Sequence, residues 1–224
     1  MTFLELCKQL VLESGIPGTG PTSTTGQSGE MARVVNWIQM AYREIQLRPG
    51  WEWMRTAFSF ETVAEQGQYT IAEAGISDFS AWKPDSFRIY LTSAGVGSET
   101  LLTQSDYTSF RDYYLFNTRR TSYSRPIAIA VTPNKSLVLG LAPDDIYTVS
   151  GEYWKSPQAL SGDSDTPDMP DRFHMAIVYK ALLSYGLFES AGEVIQRAQL
   201  LYGQYDSAMR ADQQGEITLA GGLM

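Results

Sequence analysis

Cysteine, histidine and positive charge are all scarce in this chain. Of its 224 residues one is a cysteine, Cys7, so no intrachain disulfide can form and a reducing compartment fits. One is a histidine, His174, which excludes a zinc site with two histidines, and a single cysteine excludes a cysteine-rich one. Lys and Arg number 17 against 25 Asp and Glu, a formal charge of −8. Gripping a phosphate backbone needs clustered cations, so the balance argues against nucleic-acid binding, though not against standing close to DNA. No apolar run approaches the roughly 20 residues that span a bilayer, and no basic stretch leads into an apolar one at the N-terminus. A soluble protein made in the cytoplasm, without signal peptide or membrane contact, is the expectation.

What is present describes an ordinary globular chain. Hydrophobic residues make up 43% and charged ones 19%, which argues against wholesale disorder, and the length allows one domain or two small ones. Helical periodicity is confined to the two ends. Thr2 and Glu5 have the spacing of a capping box, and Phe3, Leu6, Leu10 and Val11 fall on one face of a helix over residues 2–13. Met31, Val34, Val35, Ile38, Ala41, Tyr42 and Ile45 mark a second helix over 30–46, with Ser28 as its cap. Residues 171–188 form a third, with Phe173, Ala176, Ile177, Lys180, Ala181 and Ser184 on one face. Val194, Ile195, Ala198, Leu201, Tyr202, Tyr205 and Met209 mark a fourth over 191–211. The Gly-, Ser-, Thr- and Pro-rich stretch 15–29 reads as a long exposed loop, of the kind that is functional or mobile.

Between the ends the pattern is strand-sized. Phe58, Phe60 and Thr62 alternate, residues 87–92 and 146–154 read as strands, and 127–131 and 137–141 flank a Pro133-Asn134-Lys135 turn as a hairpin. A short helix is predicted over 106–116, capped by Ser105. Together these predict one small, largely antiparallel sheet, followed by a polar connector over 158–170.

Candidate chemistry is thin. Cys7 sits on an apolar helix face and reads as core filler. His174 lies within a predicted helix and no G-x-S-x-G elbow accompanies it, so it reads as structural or partner-facing rather than catalytic. Asp163, Asp165, Asp168 and Asp171 superficially resemble a calcium loop, but the sixth and twelfth positions hold Asp168 and His174 where glycine and glutamate are needed. A solvated linker is the simpler reading. No local pattern selects a glycosidase carboxylate pair. The glycines at 18–20 and 26–29 match neither phosphate-binding fingerprint. No metal or cofactor is expected. Arg119, Arg120 and Arg125, with Tyr123 among them, are the one basic cluster, a solvated loop or an interface patch. Aromatic residues reach 12%, with 13 tyrosines and 5 tryptophans, and tilt the reading towards assembly, because Tyr, Trp and Arg concentrate where proteins meet.

The opening M-T-F-L-E-L-C, the loop S-G-I-P-G-T-G-P-T, the helix G-Q-S-G-E-M-A-R-V-V-N-W-I and the following W-E-W-M resemble phage head-to-tail adaptor (connector or gatekeeper) proteins. The helix M-P-D-R-F-H-M-A-I-V-Y-K-A-L-L-S-Y-G and the tyrosine-bearing last helix are similar to the same family, which includes the tail tubular protein A of short-tailed phages. The resemblance implies a structural virion protein of the neck, not an enzyme. It would form a homo-oligomeric ring, typically of twelve copies, that joins the portal vertex to tail or nozzle proteins and lets the genome DNA pass without specific binding. It implies an α+β fold: an antiparallel helical bundle from both chain ends, an inserted small antiparallel β-sheet domain, and an extended C-terminal arm. The corresponding boundaries are 1–55 and 158–213 for the helical parts, 56–157 for the insertion and 214–224 for the arm. In the arm, Ile217, Leu219, Leu223 and Met224 would meet the portal, while the Arg119, Arg120, Tyr123 and Arg125 loop is a further candidate interface. A virion-associated cell-wall hydrolase and a tail-side neck completion protein are the alternatives.

Overall fold

The computed structural model describes residues 1–213, and the arm expected over 214–224 lies outside them. Among the described residues there are five α-helices: α1 (Phe3–Ser14), α2 (Gly29–Gln46), α3 (Tyr107–Tyr114), α4 (His174–Phe188) and α5 (Gly192–Gln213). The strands are β1 (Arg55–Glu61), β2 (Gln68–Tyr69), β3 (Phe79–Trp82), β4 (Arg88–Leu91), β5 (Thr100–Leu101), β6 (Thr103–Gln104), β7 (Ala128–Val131), β8 (Leu137–Gly140) and β9 (Tyr147–Lys155). The chain is therefore α+β. It divides into two compact units, Met1–Met54 together with the chain from Pro157 onward, and Arg55–Ser156.

In the helical unit α4 packs against α1, α2 and α5. The capping box opens α1: the Glu5 N–H donates to Thr2 Oγ1 at 3.3 Å and the Thr2 N–H donates to Glu5 Oε2 at 2.8 Å. Ser28 does occupy the cap position of α2, but its side chain makes no capping bond. One stripe of α4 was expected to be buried. The buried set is wider, with His174, Ala176, Ile177, Val178, Ala181, Leu182 and Gly186, because a helix with neighbours on several sides is apolar around most of its circumference. Lys180 and Ser184, assigned to the inner face by spacing, are only half-buried, and Lys180 reaches Glu44 at 2.9 Å. At Gly186 a Cβ would come within 2.8 Å of Ile195 Cγ1, so the close approach of α4 and α5 depends on glycine there.

The loop before α2 and the acidic connector before α4 both depart from expectation, for one reason. Ile16, Pro21 and Thr24 are buried. The Asp163 carboxylate accepts from the Thr24 hydroxyl at 2.6 Å and from Ser23 Oγ at 3.2 Å, and also from the Thr24 N–H. The backbone carbonyls of Asp163 and Asp165 accept from the N–H groups of Leu4 and Phe3, at 3.2 and 2.7 Å. The connector is thus a strap that satisfies the first turn of α1 and pins the loop, rather than solvated chain.

The β unit contains two sheets where one was expected. Long β9 is the spine of the first: β1 pairs along one edge, Phe58 opposite Gly151 and Phe60 opposite Val149, while β4 and β3 share the other edge and β5 extends β4. The second has the order β2-β8-β7-β6, with the expected β7–β8 hairpin at its centre and β6 parallel to β7. The two sheets share a core of Phe58, Phe60, Tyr69, Trp82, Phe87, Ile89, Ile129, Leu137, Leu139 and Val149 among others. The other face of β7 and β8 presents Ala128, Ala130 and Val138 to Phe110 of α3, so β7 is covered on both sides. Asp106, one residue after the expected Ser105, caps α3, accepting from the N–H groups of Thr108 and Ser109.

Candidate interaction surfaces

Residues 107–125 of the β unit build an arginine–aromatic surface. Phe110 and Tyr114 turn inward from α3, and the Tyr114 ring lies flat over Gly140 of β8, where a Cβ would stand 2.7 Å from Tyr114 Cγ. Tyr113 and Phe116 therefore point outward, 54% and 51% exposed. The Arg119 guanidinium stacks on Tyr113, 3.6 Å from the ring centroid, and donates to the Tyr113 carbonyl at 3.3 Å. Arg111 lies 5.9 Å from the centroid of Phe116. Beside this surface Arg119 and Arg120 line a cavity of about 220 Å³ with Tyr114 and Leu139.

The four residues singled out in this loop are not one cluster. Arg119 and Arg120 share the cavity, and Tyr123, 45% exposed, follows in a segment bridged to Ala142. Arg125 is turned to the first sheet, where one guanidinium nitrogen donates to Thr100 Oγ1 at 2.9 Å, to the Ile89 carbonyl at 3.4 Å and to the Ser98 carbonyl. It anchors the loop rather than presenting charge. Ile217, Leu219, Leu223 and Met224 lie outside the described residues.

Four titratable groups of the helical unit hold structure. Burial pushes the Cys7 thiol up to about 12. His174 is buried at the start of α4, its Nδ1 2.7 Å from the Met1 amino group and its Nε2 3.0 Å from the Met169 carbonyl. An ammonium can only donate and a carbonyl only accept, so these partners assign a neutral ring protonated at Nε2. Burial, which penalises the charged ring, lowers the pKa of His174, and the Met1 ammonium acts in the same direction. Asp163 and Asp165 are held below the usual carboxylate range, chiefly by the N–H groups of Thr24 and of Gly162 and Ser161. Among the described residues no three His, Cys, Asp or Glu side chains converge as a metal site.

The helical unit presents two exposed faces. On α2 the stripe Arg33, Asn36, Met40, Arg43 and Leu47 is outward. Arg33 lies 4.6 Å from the centroid of the half-exposed Phe188 ring, which also meets Trp37 at 5.8 Å. On α5 only Ala198 and Met209 are buried. Every charged side chain of α5 from Arg197 onward is drawn into an ion pair within the unit: Arg197 with Glu13, Asp206 with Arg48 and Arg210, Asp212 with Arg172. Between these pairs Gln196, Gln199, Leu200, Gly203, Gln204 and Ser207 are exposed and uncharged, with Glu193 exposed at the start of the same face and the paired Arg197 and Arg210 half-exposed at its sides.

A family model described as SU10 adaptor protein matches residues 1–221. The chain belongs to the SU10 adaptor protein family. No curated protein matches it. It is a phage adaptor, a structural virion protein whose family works by contact with other neck components. In this adaptor no helix of the described residues is long and apolar enough to cross a membrane. Sequence reasoning missed Tyr113 and Phe116, and with them most of the arginine–aromatic surface. The signal was present in the run of Tyr, Phe and Arg over 107–125, but only the direction of α3 decides which rings face out. The uncharged patch of α5 was hidden differently: the charges of the helix are visible in sequence, and the partners of Arg197, Asp206 and Asp212 on other elements are 40 or more residues away.

Proposed function

We propose that this adaptor closes into a ring of twelve copies at the phage neck, joining the portal vertex to the tail and lining the channel through which DNA leaves, in the manner of tail tubular protein A. The observation that carries the reading is the outer face of α5. Interfaces between copies are depleted of charge at their centres, and here a 22-residue helix pairs its charges from Arg197 onward within the unit, leaving an uncharged patch centred on Leu200, 65% exposed. In a closed ring this face would meet a different surface of the next copy, since ring contacts are heterologous. The helical unit, as a bundle, would make the ring and dock on the portal, with Ile217, Leu219, Leu223 and Met224 of the arm seated on portal surface. The loop surface of Tyr113, Phe116, Arg119, Arg120 and Tyr123, anchored by Arg125, would receive tail or nozzle protein. A chain with net charge −8 gives DNA little to adhere to.

Gly203→Glu tests the ring. A Cβ at Gly203 meets nothing within 4 Å, so the side chain fits the folded monomer, and replacing a mid-helix glycine stabilises the helix by up to about 1 kcal/mol. The expected result is a folded, equally or more stable monomer that no longer forms rings, and filled heads without tails in assembly reactions. Normal rings from Gly203→Glu would contradict the assignment of this face.

A further inference from the structure

Two helices of the helical unit carry matching outward stripes. On α2 the stripe is Arg33, Asn36, Met40, Arg43 and Leu47, and on α5 it is Glu193, Gln196, Leu200, Gly203 and Ser207. Each steps by three, four, three and four residues, the seam spacing by which two helices lie side by side. Each has an unburied apolar side chain at its centre, Met40 at 49% exposure and Leu200 at 65%. Their charges are complementary, since the α2 stripe holds two cations and no acid and the α5 stripe one acid and no cation. Among the described residues Arg33, Arg43 and Glu193 have no ion-pair partner. Beside Met40 lies a groove of about 420 Å³, lined by Asn36, Met40 and Arg43 on one side and by Pro157 and Ala159 on the other. The two helices also share a direction. At one end Trp37 of α2 meets Phe188 of α4 at 5.8 Å, and Gly186 of α4 closely approaches Ile195 of α5. At the other end Lys180 of α4 reaches Glu44 at 2.9 Å and lies 5.2 Å from the Tyr202 centroid, and Arg48 pairs with Asp206. Therefore α2 and α5 run the same way, with residues 158 apart at the same level.

We propose that the α5 stripe of each copy packs in parallel on the α2 stripe of the next, with Leu200 against Met40 at the mouth of the groove and Glu193 paired with Arg33. The inference rests on the ring reading and names the surface that the α5 patch meets. Pairing 33 with 193 and 40 with 200 departs from the level shared within one unit by two residues, or about 3 Å of helical rise. Rotation about an axis along the helices carries a helix sideways without reversing or raising it. The α5 of one copy thus reaches the α2 of its neighbour running the same way and at nearly the same height. The same register sets Arg43 over Gly203, whose missing side chain leaves room for the guanidinium and its stem; a side chain of either charge at 203 fills that room. Opposite charges at Arg33 and Glu193 favour this register over the antiparallel one, which would set Leu47 against Glu193. Because two different surfaces of one chain meet, the contact passes from copy to copy and does not end in a symmetric pair.

The test is disulfide trapping between full-length chains in the presence of the portal protein of the same phage. One chain carries Met40→Cys and the other Leu200→Cys, both exposed positions, while the native Cys7 is buried. The expected result is a cross-linked dimer from the mixture and none from either variant alone. Arg33→Glu added to the Met40→Cys chain is expected to lower the yield roughly threefold, as for an exposed ion pair, and Glu193→Arg added to the Leu200→Cys chain to restore it. No cross-link in the mixture would overturn the pairing, and wild-type rings seen by native mass spectrometry under the same conditions would leave the ring reading standing. Dimers from Leu200→Cys alone would overturn the pairing in favour of a symmetric α5 contact. A chain carrying both substitutions separates the two readings from the other side: a cross-linked ladder that closes upholds both, and one that stays open upholds the pairing and contradicts the ring.

Discussion

The helical and β units are held together by different means, and the difference follows from how each is threaded. The helical unit joins segments distant in sequence, and its polar contacts span that distance: Arg48 with Asp206, Glu13 with Arg197, Asp163 with Thr24. Its apolar contacts are mainly aliphatic, Leu6, Leu10, Ile38, Ile177 and Leu182 among them. The β unit is continuous chain closed by the pairing of β1 with β9 from its two ends, and its core is rich in aromatic rings, with Phe58 and Trp82 at 5.0 Å and Phe60 and Tyr69 at 5.0 Å. Closing a long loop costs entropy that only contacts across it can offset. The helical unit accordingly ties its charges into ion pairs that clamp its segments and leaves an uncharged patch around Leu200 on α5, whereas the β unit leaves arginines stacked on exposed rings. A neutral face suits a copy of the same chain, and an arginine–aromatic face suits a different partner.

The largest expected effects come from one substitution in each core. Val35→Asp places a charge among apolar side chains of α2 and is expected to cost several kcal/mol, unfolding the helical unit. Phe87→Ala opens a cavity in the shared core of the two sheets, at about 3–5 kcal/mol. Hydrogen exchange read separately on α4 and β9 should show Val35→Asp exposing α4 first and Phe87→Ala exposing β9 first. Simultaneous loss in both variants would break the comparison.

Acid should discriminate the units more gently. The folded helical unit holds His174 neutral with a lowered pKa, while the unfolded chain takes up a proton near pH 6.5, so this contribution to stability is complete above that pH and declines as pH falls below it. Asp163 and Asp165, also lowered, act in the same direction: their contribution is present above about pH 4 and is lost at lower pH. Thermal melts between pH 7 and pH 5 should show a loss of stability in the helical unit that His174→Gln abolishes. A pH-independent wild-type melt over that range would contradict the neutral assignment. The smallest effect on folding is expected at the β-unit surface, where Arg119→Ala removes an exposed cation–π contact worth about 0.5–1 kcal/mol. Its consequence should instead be weaker capture of tail protein, measured by co-sedimentation.

The fold was legible where one rule of periodicity sufficed. The faces of α1 and α2, the capping box at Thr2 and the hairpin around Asn134 follow directly from spacing. Tertiary context hid the rest. Phe79–Trp82 gives no alternating pattern, and its pairing with the second half of β9 is set by long-range register. Two sheets cannot be told from one by strand count, because Ile129 and Ala130, adjacent in β7, serve different cores. Asp163 reads as linker composition until Thr24 is seen against it. For the interaction surfaces the residue types were legible and their direction was not: Arg125 looks like its neighbours in sequence and is spent on the Ile89 and Ser98 carbonyls.

The most direct measurement is native mass spectrometry of the purified protein, alone and with the portal protein of the same phage. The expected result is an adduct of adaptor copies matching the portal symmetry, formed by the wild-type chain and lost in Gly203→Glu. Failure of the wild-type chain to associate with the portal would contradict the ring at the neck and turn the search to tail-side partners.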